Sequence, residues 1–191
     1  MIDIEVLIGN EIYYTKDLIK EIDELDFYTL NNSRYILIEL PPTNFPKDLC
    51  NIVYELKEKN YIPVLAHVER YIEVQENPEL IYEAIHAGAI IQVNSHSILG
   101  KSGKELQKIC DTLIERNMVH VVGTDAHRSR RRTPIFSDAY KYVCEKYSKD
   151  VADNLFIKNN NSIINNEDLH ISMPYKEEQK KKGFFKRLFK L

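Results

Sequence analysis

Short apolar runs alternate with longer amphipathic stretches along most of this chain. The near-continuous Val, Ile and Leu content of the apolar runs is typical of strands covered on both faces. The amphipathic stretches predict helices between them, which gives the βα rhythm of a parallel sheet or barrel. The predicted strands are residues 4–8, 35–39, 62–66, 90–93 and 119–123. The predicted helices are residues 15–25, 45–59, 78–87, 101–117, 136–147 and 149–156.

Chain length predicts one domain, and charge argues against a dedicated nucleic-acid binder. The 191 residues are enough for a single sizeable core. A net charge of -3 and a pI near 6.1 argue against a nucleic-acid partner, which would usually require a basic domain. We therefore predict a domain over residues 1–158, a polar linker of low order over 159–179 and a basic-aromatic tail over 180–191.

The tail has a composition suited to an acidic surface. Its phenylalanines and Leu188 recur at helical spacing opposite lysines and Arg187. Such a segment can make peripheral contact with an anionic membrane or dock on an acidic partner, and the alternative is a short solvated end.

Cysteine usage and the N-terminus predict a cytoplasmic protein. Cys50, Cys110 and Cys144 lie far apart in predicted helices, which is typical of free thiols in a reducing compartment. The sequence lacks a signal-peptide pattern and any apolar run of about 18 residues. Cys110 and Arg116 match the Cys-x5-Arg spacing of thiol phosphatases, but bulky and acidic residues replace the glycine-rich phosphate loop, so we interpret Cys110 as core.

Metal-ligand residue types occur where apolar strands end. Glu11 follows the first predicted strand, Glu39 closes the second, His67 closes the third, and Asp125 and His127 follow the last. The working residues of parallel α/β folds gather at the carboxyl ends of the strands. A set of oxygen and nitrogen ligands without cysteine favours manganese, iron or zinc in a multinuclear hydrolytic site.

At these residues the chain resembles the PHP (polymerase and histidinol phosphatase) superfamily, and specifically the bacterial manganese-dependent tyrosine phosphatases of capsule and exopolysaccharide operons. The resemblance covers roughly residues 4–160, and its segments occur in family order. It implies an α/β fold, a distorted (βα)7 PHP barrel, with a three-metal centre. The matching segments are residues 9–14, 31–39, 63–71, 92–95 and 123–127.

The resemblance also implies roles for the five candidate ligands. Glu11 is similar to the carboxylate that bridges two metals, and Glu39 and His67 to the remaining ligands of one of them. Asp125 is expected to serve the other bridged metal, and His127 the third. The implied cofactor is Mn²⁺ in a multinuclear site.

Two arginines match the phosphate-side arginines of the family. Arg70 lies three residues after His67, and Arg132 lies five residues after His127. A guanidinium group suits this role because its planar fork binds phosphate oxygens bidentately. The implied chemistry is metal-assisted attack of hydroxide on the phosphorus of a phosphate monoester.

One departure from the family pattern concerns the start of the chain. The family opens with a His-x-His strand end, followed downstream by an acidic residue and another strand-end His, and none of these family positions has a counterpart here. We therefore expect an N-terminally incomplete barrel that keeps five ligands and has impaired activity.

The resemblance implies a protein-tyrosine phosphatase whose substrate is an autophosphorylated bacterial tyrosine kinase that controls capsule or exopolysaccharide assembly. Two alternatives stay open at this point. One is a PHP phosphatase for a small phosphomonoester such as histidinol phosphate. The other is a non-catalytic remnant that binds a phosphopeptide or the kinase.

Overall fold

A five-stranded sheet, parallel throughout, forms the centre of the computed structural model, which describes residues 4–42, 44–127, 136–169 and 171–176. The strands lie side by side in chain order, β1-β2-β3-β4-β5. This parallel α/β arrangement agrees with the predicted rhythm. The strands are β1 (Glu11–Tyr13), β2 (Tyr35–Glu39), β3 (Ile62–Leu65), β4 (Ile90–Asn94) and β5 (Val121–Gly123).

Helices connect successive strands, as parallel pairing requires. Most of them are shorter than the sequence predicts, because flanking residues form turns or extended segments. Short 3₁₀ turns cover Leu30–Asn32 and Val68–Arg70, and a π-helical turn over Asn154–Lys158 joins the last two helices. The helices are α1 (Leu18–Glu21), α2 (Leu49–Glu58), α3 (Ile72–Glu76), α4 (Glu79–Ala87), α5 (Ser95–Ile98), α6 (Lys104–Glu115), α7 (Ser137–Lys146), α8 (Lys149–Asp153) and α9 (Asn159–Ile164). Within the described residues, no helix has the length and apolar content needed to cross a bilayer.

The two faces of the sheet bury different clusters. Alternate strand residues such as Ile38 and Ile91 join the helices in the larger core. Intervening residues of β2, β3, β4 and β5 form a smaller cluster on the opposite face, here called the inner face. That cluster consists of Tyr35, Val64, Ile90 and Val121, with Ile163 of α9 packed against them. Along β2 and β4 the inner face changes from apolar residues to Glu39, Gln92 and Asn94 toward the carboxyl ends.

The predicted strand over residues 4–8 is wrong. Ile4, Val6 and Ile8 are largely exposed and belong to no strand. The backbone from Ile8 to Asn10 instead pairs with residues 28–31: Asn31 N–H donates to Ile8 O at 2.8 Å, and Asn10 N–H donates to Tyr28 O at 2.9 Å. The first strand begins at Glu11, so this carboxylate opens a strand rather than following one.

The polar linker predicted from residue 159 is wrong at its start. The asparagine-rich run forms helix α9, in which Asn159 Nδ2 donates to His120 O at 2.7 Å. Further contacts fix the following residues, because the Tyr35 hydroxyl donates to Glu167 O at 2.7 Å. Asparagine content suggested a solvated segment, but Asn159 binds the backbone just before β5 and Ile163 packs on the sheet, so the domain extends through α9.

The cysteines behave as predicted. All three are free, and they lie in helices α2, α6 and α7. Cys110 is fully buried in the core, where burial raises the pKa of its thiol far above its usual range. A thiol held in its protonated form is a poor nucleophile, so the structure supports the exclusion of cysteine chemistry.

His120 is a buried histidine that should make stability depend on pH. Its Nδ1 accepts a hydrogen bond from Ile91 N–H at 2.9 Å, and burial lowers its pKa to about 4, from 6.5. The unfolded chain therefore takes up a proton more readily than the folded chain. The free energy of unfolding should therefore be unaffected by His120 above pH 6.5 and should decrease as the pH falls through about 4. The total decrease should be about 3 kcal/mol.

Urea unfolding at a series of pH values would check this expectation. On acidification, the free energy of unfolding of the wild-type chain should decrease by this amount more than that of His120→Gln. The control variant His86→Gln, at an exposed histidine, should keep the wild-type pH profile. Parallel pH profiles for wild type and His120→Gln would contradict the assignment.

Candidate metal centre

Three predicted ligands, Glu11, Glu39 and His67, lie together at one edge of the sheet. One potential ligand atom from each lies within 4.8 Å of the others. His67 Nε2 is 3.0 Å from Glu11 Oε1 and 3.4 Å from Glu39 Oε1. We call these three residues the ligand triad. It is the only cluster of three or more such residues in the described part of the chain.

The parallel register explains why residues so distant in sequence meet. Glu11 begins β1, Glu39 ends the neighbouring β2, and His67 follows the end of β3 by two residues. Tyr13 pairs with Glu39, which places Glu11 two residues before that level on the same face of the sheet. The site is therefore built across three adjacent strands.

The donor set of the triad fits a divalent ion. Two carboxylates and one imidazole are hard or borderline ligands, the type that Mn²⁺, Fe²⁺ and Zn²⁺ accept. The carboxylates of Glu11 and Glu39 are one third or more exposed, whereas the His67 side chain is only 6% exposed. His67 Nδ1 is buried and, in the described part of the chain, has no hydrogen-bond partner. An accessible carboxylate pair beside a fixed imidazole is suited to hold a cation.

Asp125 and His127 form a second group that lies outside the triad. Asp125 Oδ1 is 3.1 Å from His127 Nδ1, and Asp125 Oδ2 is 2.5 Å from Arg70 Nη2. The Asp125 side chain is 7% exposed, whereas that of His127 is 58% exposed. The sequence predicted both residues as ligands and Arg70 as a phosphate-binding residue. The structure brings both His127 and Arg70 into contact with Asp125.

A left-handed backbone marks both groups. His67 has φ 35° and Asp125 has φ 49°, and each lies two residues beyond the end of its strand. Residues other than glycine adopt this conformation at some cost, although His and Asp adopt it more readily than most. Two candidate ligands share this conformation at equivalent positions, which is a pattern typical of functional sites.

Tyr71 fixes the strand ends that carry Glu39 and His67. Its buried hydroxyl accepts a hydrogen bond from Leu40 N–H at 2.8 Å and donates to Ala66 O at 3.0 Å. Leu40 directly follows Glu39, and Ala66 directly precedes His67. Tyr71 belongs to the family-matching segment 63–71, but no role was predicted for it, because an aromatic residue after a strand usually signals core packing alone.

Other buried polar residues near the site lie in family-matching segments, but no role was predicted for them. Gln92 and Asn94 lie on the inner face of β4, and Glu69 Oε1 accepts from Asn94 N–H at 3.2 Å. Burial raises the pKa of Glu69. A signal for the two amides exists in the sequence, because Gln92 and Asn94 alternate with Ile91 and Val93 in an otherwise apolar strand.

Arg132 and the tail over residues 180–191 lie outside the described residues. Their predicted roles in phosphate binding and membrane contact stay predictions.

A parallel sheet with carboxylates and an imidazole at its carboxyl edge defines an α/β protein with a candidate divalent-metal site. Comparison with known families then gives a specific assignment. The family model for capsular polysaccharide synthesis, CpsB/CapC, matches residues 1–165. The chain belongs to the CpsB/CapC family, and the matched range includes α9, in agreement with its packing on the sheet.

Relatives in this family are named tyrosine-protein phosphatases. Tyrosine-protein phosphatase CpsB of Streptococcus agalactiae serotype III is 33% identical over 168 residues, which are 85% of this chain and 69% of the relative. Tyrosine-protein phosphatase YwqE of Bacillus subtilis is 34% identical over 185 residues, which are 96% of this chain and 72% of the relative.

A solved structure has the same fold. It is described as crystal structures of YwqE from Bacillus subtilis and CpsB from Streptococcus pneumoniae, unique metal-dependent tyrosine phosphatases. The match has a TM-score of 0.84 at 30% identity and covers 90% of this chain and 69% of the solved chain. The predicted family is therefore confirmed.

The Tyr71 hydroxyl should contribute to stability through the two strand ends it joins. Tyr71→Phe leaves the Leu40 N–H and the Ala66 carbonyl without this partner in a buried position, which should lower the free energy of unfolding by about 2 kcal/mol. Urea denaturation measures this change. Tyr54→Phe, at a half-exposed tyrosine of α2, is the matched control and should change little. Equal losses in the two variants would contradict the proposed anchoring.

Proposed function

We propose that this chain is a metal-dependent tyrosine-protein phosphatase that acts in capsular polysaccharide synthesis. The observation that carries the proposal is the ligand triad, whose three ligand atoms lie within 4.8 Å of one another at the carboxyl edge of the sheet. Its relatives in the CpsB/CapC family are named tyrosine-protein phosphatases, and the matching solved structure is described as metal-dependent.

In this proposal the cofactor is Mn²⁺ in a multinuclear centre. Glu11, Glu39 and His67 would hold one ion, Glu11 and Asp125 would hold a second, and His127 would hold a third. Bound divalent ions lower the pKa of water and neutralise charge on the phosphoryl group. Both carboxylates of the triad contact the same imidazole nitrogen, Nε2 of His67, so a cation there would reduce their mutual repulsion.

Arg70 and Arg132 bind the phosphoryl oxygens in this proposal. Arg70 is 26% exposed and uses Nη2 to contact Asp125. A guanidinium group has five N–H donors, so the pairing with Asp125 fixes its orientation and leaves other donors for the substrate. The contact supports the role by holding Arg70 beside the candidate ligands.

The five strands are proposed to form part of a distorted (βα)7 barrel. Their consecutive order, with all strands parallel, is the order of a barrel wall, whereas doubly wound sheets reverse their order at a switch point. The separate apolar cluster on the inner face, with polar residues toward the carboxyl ends of β2 and β4, supports this interpretation.

The proposed substrate is phosphotyrosine on an autophosphorylated bacterial tyrosine kinase that controls capsule assembly. This places the protein in the cytoplasm, where such a kinase domain is reached, with the basic tail over 180–191 near the membrane. Support comes from the family assignment and from the charge of the tail.

Hydrolysis of a phosphotyrosine peptide should depend on divalent metal and not on a thiol. A chelator should abolish the activity and added Mn²⁺ should restore it. Glu39→Gln should lower turnover by about 100-fold or more, because losing a ligand weakens a charge clamp worth several kcal/mol. Cys110→Ser should retain the wild-type rate.

Parallel assays separate this function from its alternatives. Histidinol phosphate should be hydrolysed far more slowly than the phosphotyrosine peptide. His86→Asn, at an exposed histidine of α4, is the control for the triad variants. Activity that survives the chelator but not the Cys110→Ser change would overturn the mechanism, and binding of the peptide without hydrolysis would favour a non-catalytic module.

Arg132 and the tail should affect different steps. Arg132→Ala should lower turnover of a small aryl phosphate by about tenfold or more, because a charge-assisted contact to the phosphoryl group is lost. Removal of residues 180–191 should leave that rate unchanged and weaken co-sedimentation with anionic vesicles at low salt only. Equal vesicle binding by the full and shortened chains would exclude the membrane role of the tail.

A further inference from the structure

A line of buried amide groups joins the ligand triad to the Asp125 group. Gln92 is 8% exposed and Asn94 is 1% exposed, and both lie on the inner face of β4 between the strands that precede His67 and Asp125. Gln92 Oε1 accepts a hydrogen bond from His67 N–H. Gln92 Nε2 donates to Asn94 Oδ1 at 3.0 Å, and Asn94 Nδ2 donates to Asp125 Oδ2 at 3.4 Å. We call Gln92 and Asn94 the amide relay.

The chemistry of its ends fixes the direction of the relay. A backbone N–H can only donate, so the oxygen of Gln92 must face His67. Its nitrogen must then face Asn94, which turns the Asn94 oxygen toward Gln92 and the Asn94 nitrogen toward Asp125. The His67 end of the relay needs an acceptor, and the Asp125 end needs a donor because a carboxylate oxygen accepts hydrogen bonds. One orientation of the two amides satisfies both ends.

Gly123 provides the space for the relay. It pairs with Asn94 across β4 and β5, and a Cβ at this position would lie 2.1 Å from Gln92 Nε2. Gly123 is not among the glycines with positive φ, so its backbone conformation would accept alanine. The requirement for glycine is therefore steric, and it concerns the Gln92 amide alone.

We propose that Gln92 and Asn94 are positioning residues that couple the left-handed turn at His67 to the orientation of the Asp125 carboxylate. The relay holds the His67 backbone at one end and a carboxylate oxygen of Asp125 at the other. Its relevance to catalysis rests on the proposed phosphatase function, whereas its effect on the turn and on ion binding can be measured without any substrate.

Reversal of the relay tests its direction. Gln92→Glu keeps an acceptor for His67 N–H but has no donor for Asn94. The Asn94 amide would have to turn, and its oxygen would then face the Asp125 carboxylate. Mn²⁺ affinity, measured from the free-ion electron paramagnetic resonance signal during titration, should fall by roughly tenfold or more. Gln107→Glu is the matched control, because Gln107 Nε2 donates to Ile98 O at the end of helix α5 and not to a member of the relay. The Mn²⁺ affinity of this variant should equal that of wild type.

A double-mutant cycle tests the steric step. Gly123→Ala should lower Mn²⁺ affinity in the wild-type background, because the new methyl group displaces the Gln92 amide. In a Gln92→Ala background the methyl group has room, so the same change should have little further effect. The double variant also controls for misfolding, because its new methyl group fills part of the space that Gln92→Ala leaves empty.

Backbone amide exchange at His67 gives a readout that needs neither metal nor substrate. Gln92→Ala should increase exchange at His67 and leave exchange in helix α6 at the wild-type level. A purely structural role for Gln92 would lower the melting temperature and change both regions together.

The outcomes distinguish the relay from the phosphatase function. Unchanged Mn²⁺ affinity in Gln92→Glu, additive losses in the cycle, or unchanged His67 exchange in Gln92→Ala would each overturn the relay. A wild-type chain that binds Mn²⁺ and shows these effects, yet does not hydrolyse phosphotyrosine peptide, would overturn the proposed function and leave the relay intact.

Discussion

The parallel register of the five strands is the constraint on which the site depends. Parallel strands have all their carboxyl ends at one edge, so residues as distant in sequence as Glu39 and Asp125 reach the same region. The alternation of side chains then decides which of them share the inner face. A shift of one residue in β2 would move Glu39 to the face that packs against the helices and would remove it from the triad.

The sequence predicted the elements that local pattern controls. Strand β2 has the predicted bounds, and the triad residues were all identified, because apolar strands that end in ligand-type residues are visible without a structure. The errors arose where tertiary contacts decide the outcome. The apolar run over residues 4–8 has strand composition but pairs with a loop, and the asparagine-rich run at Asn159 has linker composition but forms hydrogen bonds that fix a helix.

The residues that support the site lie in segments that match the family, but their contacts were not predicted. Tyr71, Gln92 and Asn94 act through hydrogen bonds to residues just beyond the ends of other strands, and spacing along one chain does not reveal such contacts. Arg70 illustrates the same limit. Its proximity to His67 in sequence was evident, but its pairing with Asp125 depends on how two separate turns approach each other.

The two groups of candidate ligands are held in different ways. Tyr71 and Gln92 bind backbone atoms around His67, so they fix the triad without occupying the carboxylate oxygens of Glu11 and Glu39. The carboxylate of Asp125, in contrast, is itself engaged by Arg70 and Asn94. An ion at the triad therefore meets accessible ligand atoms, whereas an ion at Asp125 must share that carboxylate with a guanidinium group. Because Arg70 competes with a metal ion for the carboxylate of Asp125, the triad is the stronger of the two candidate positions for a metal.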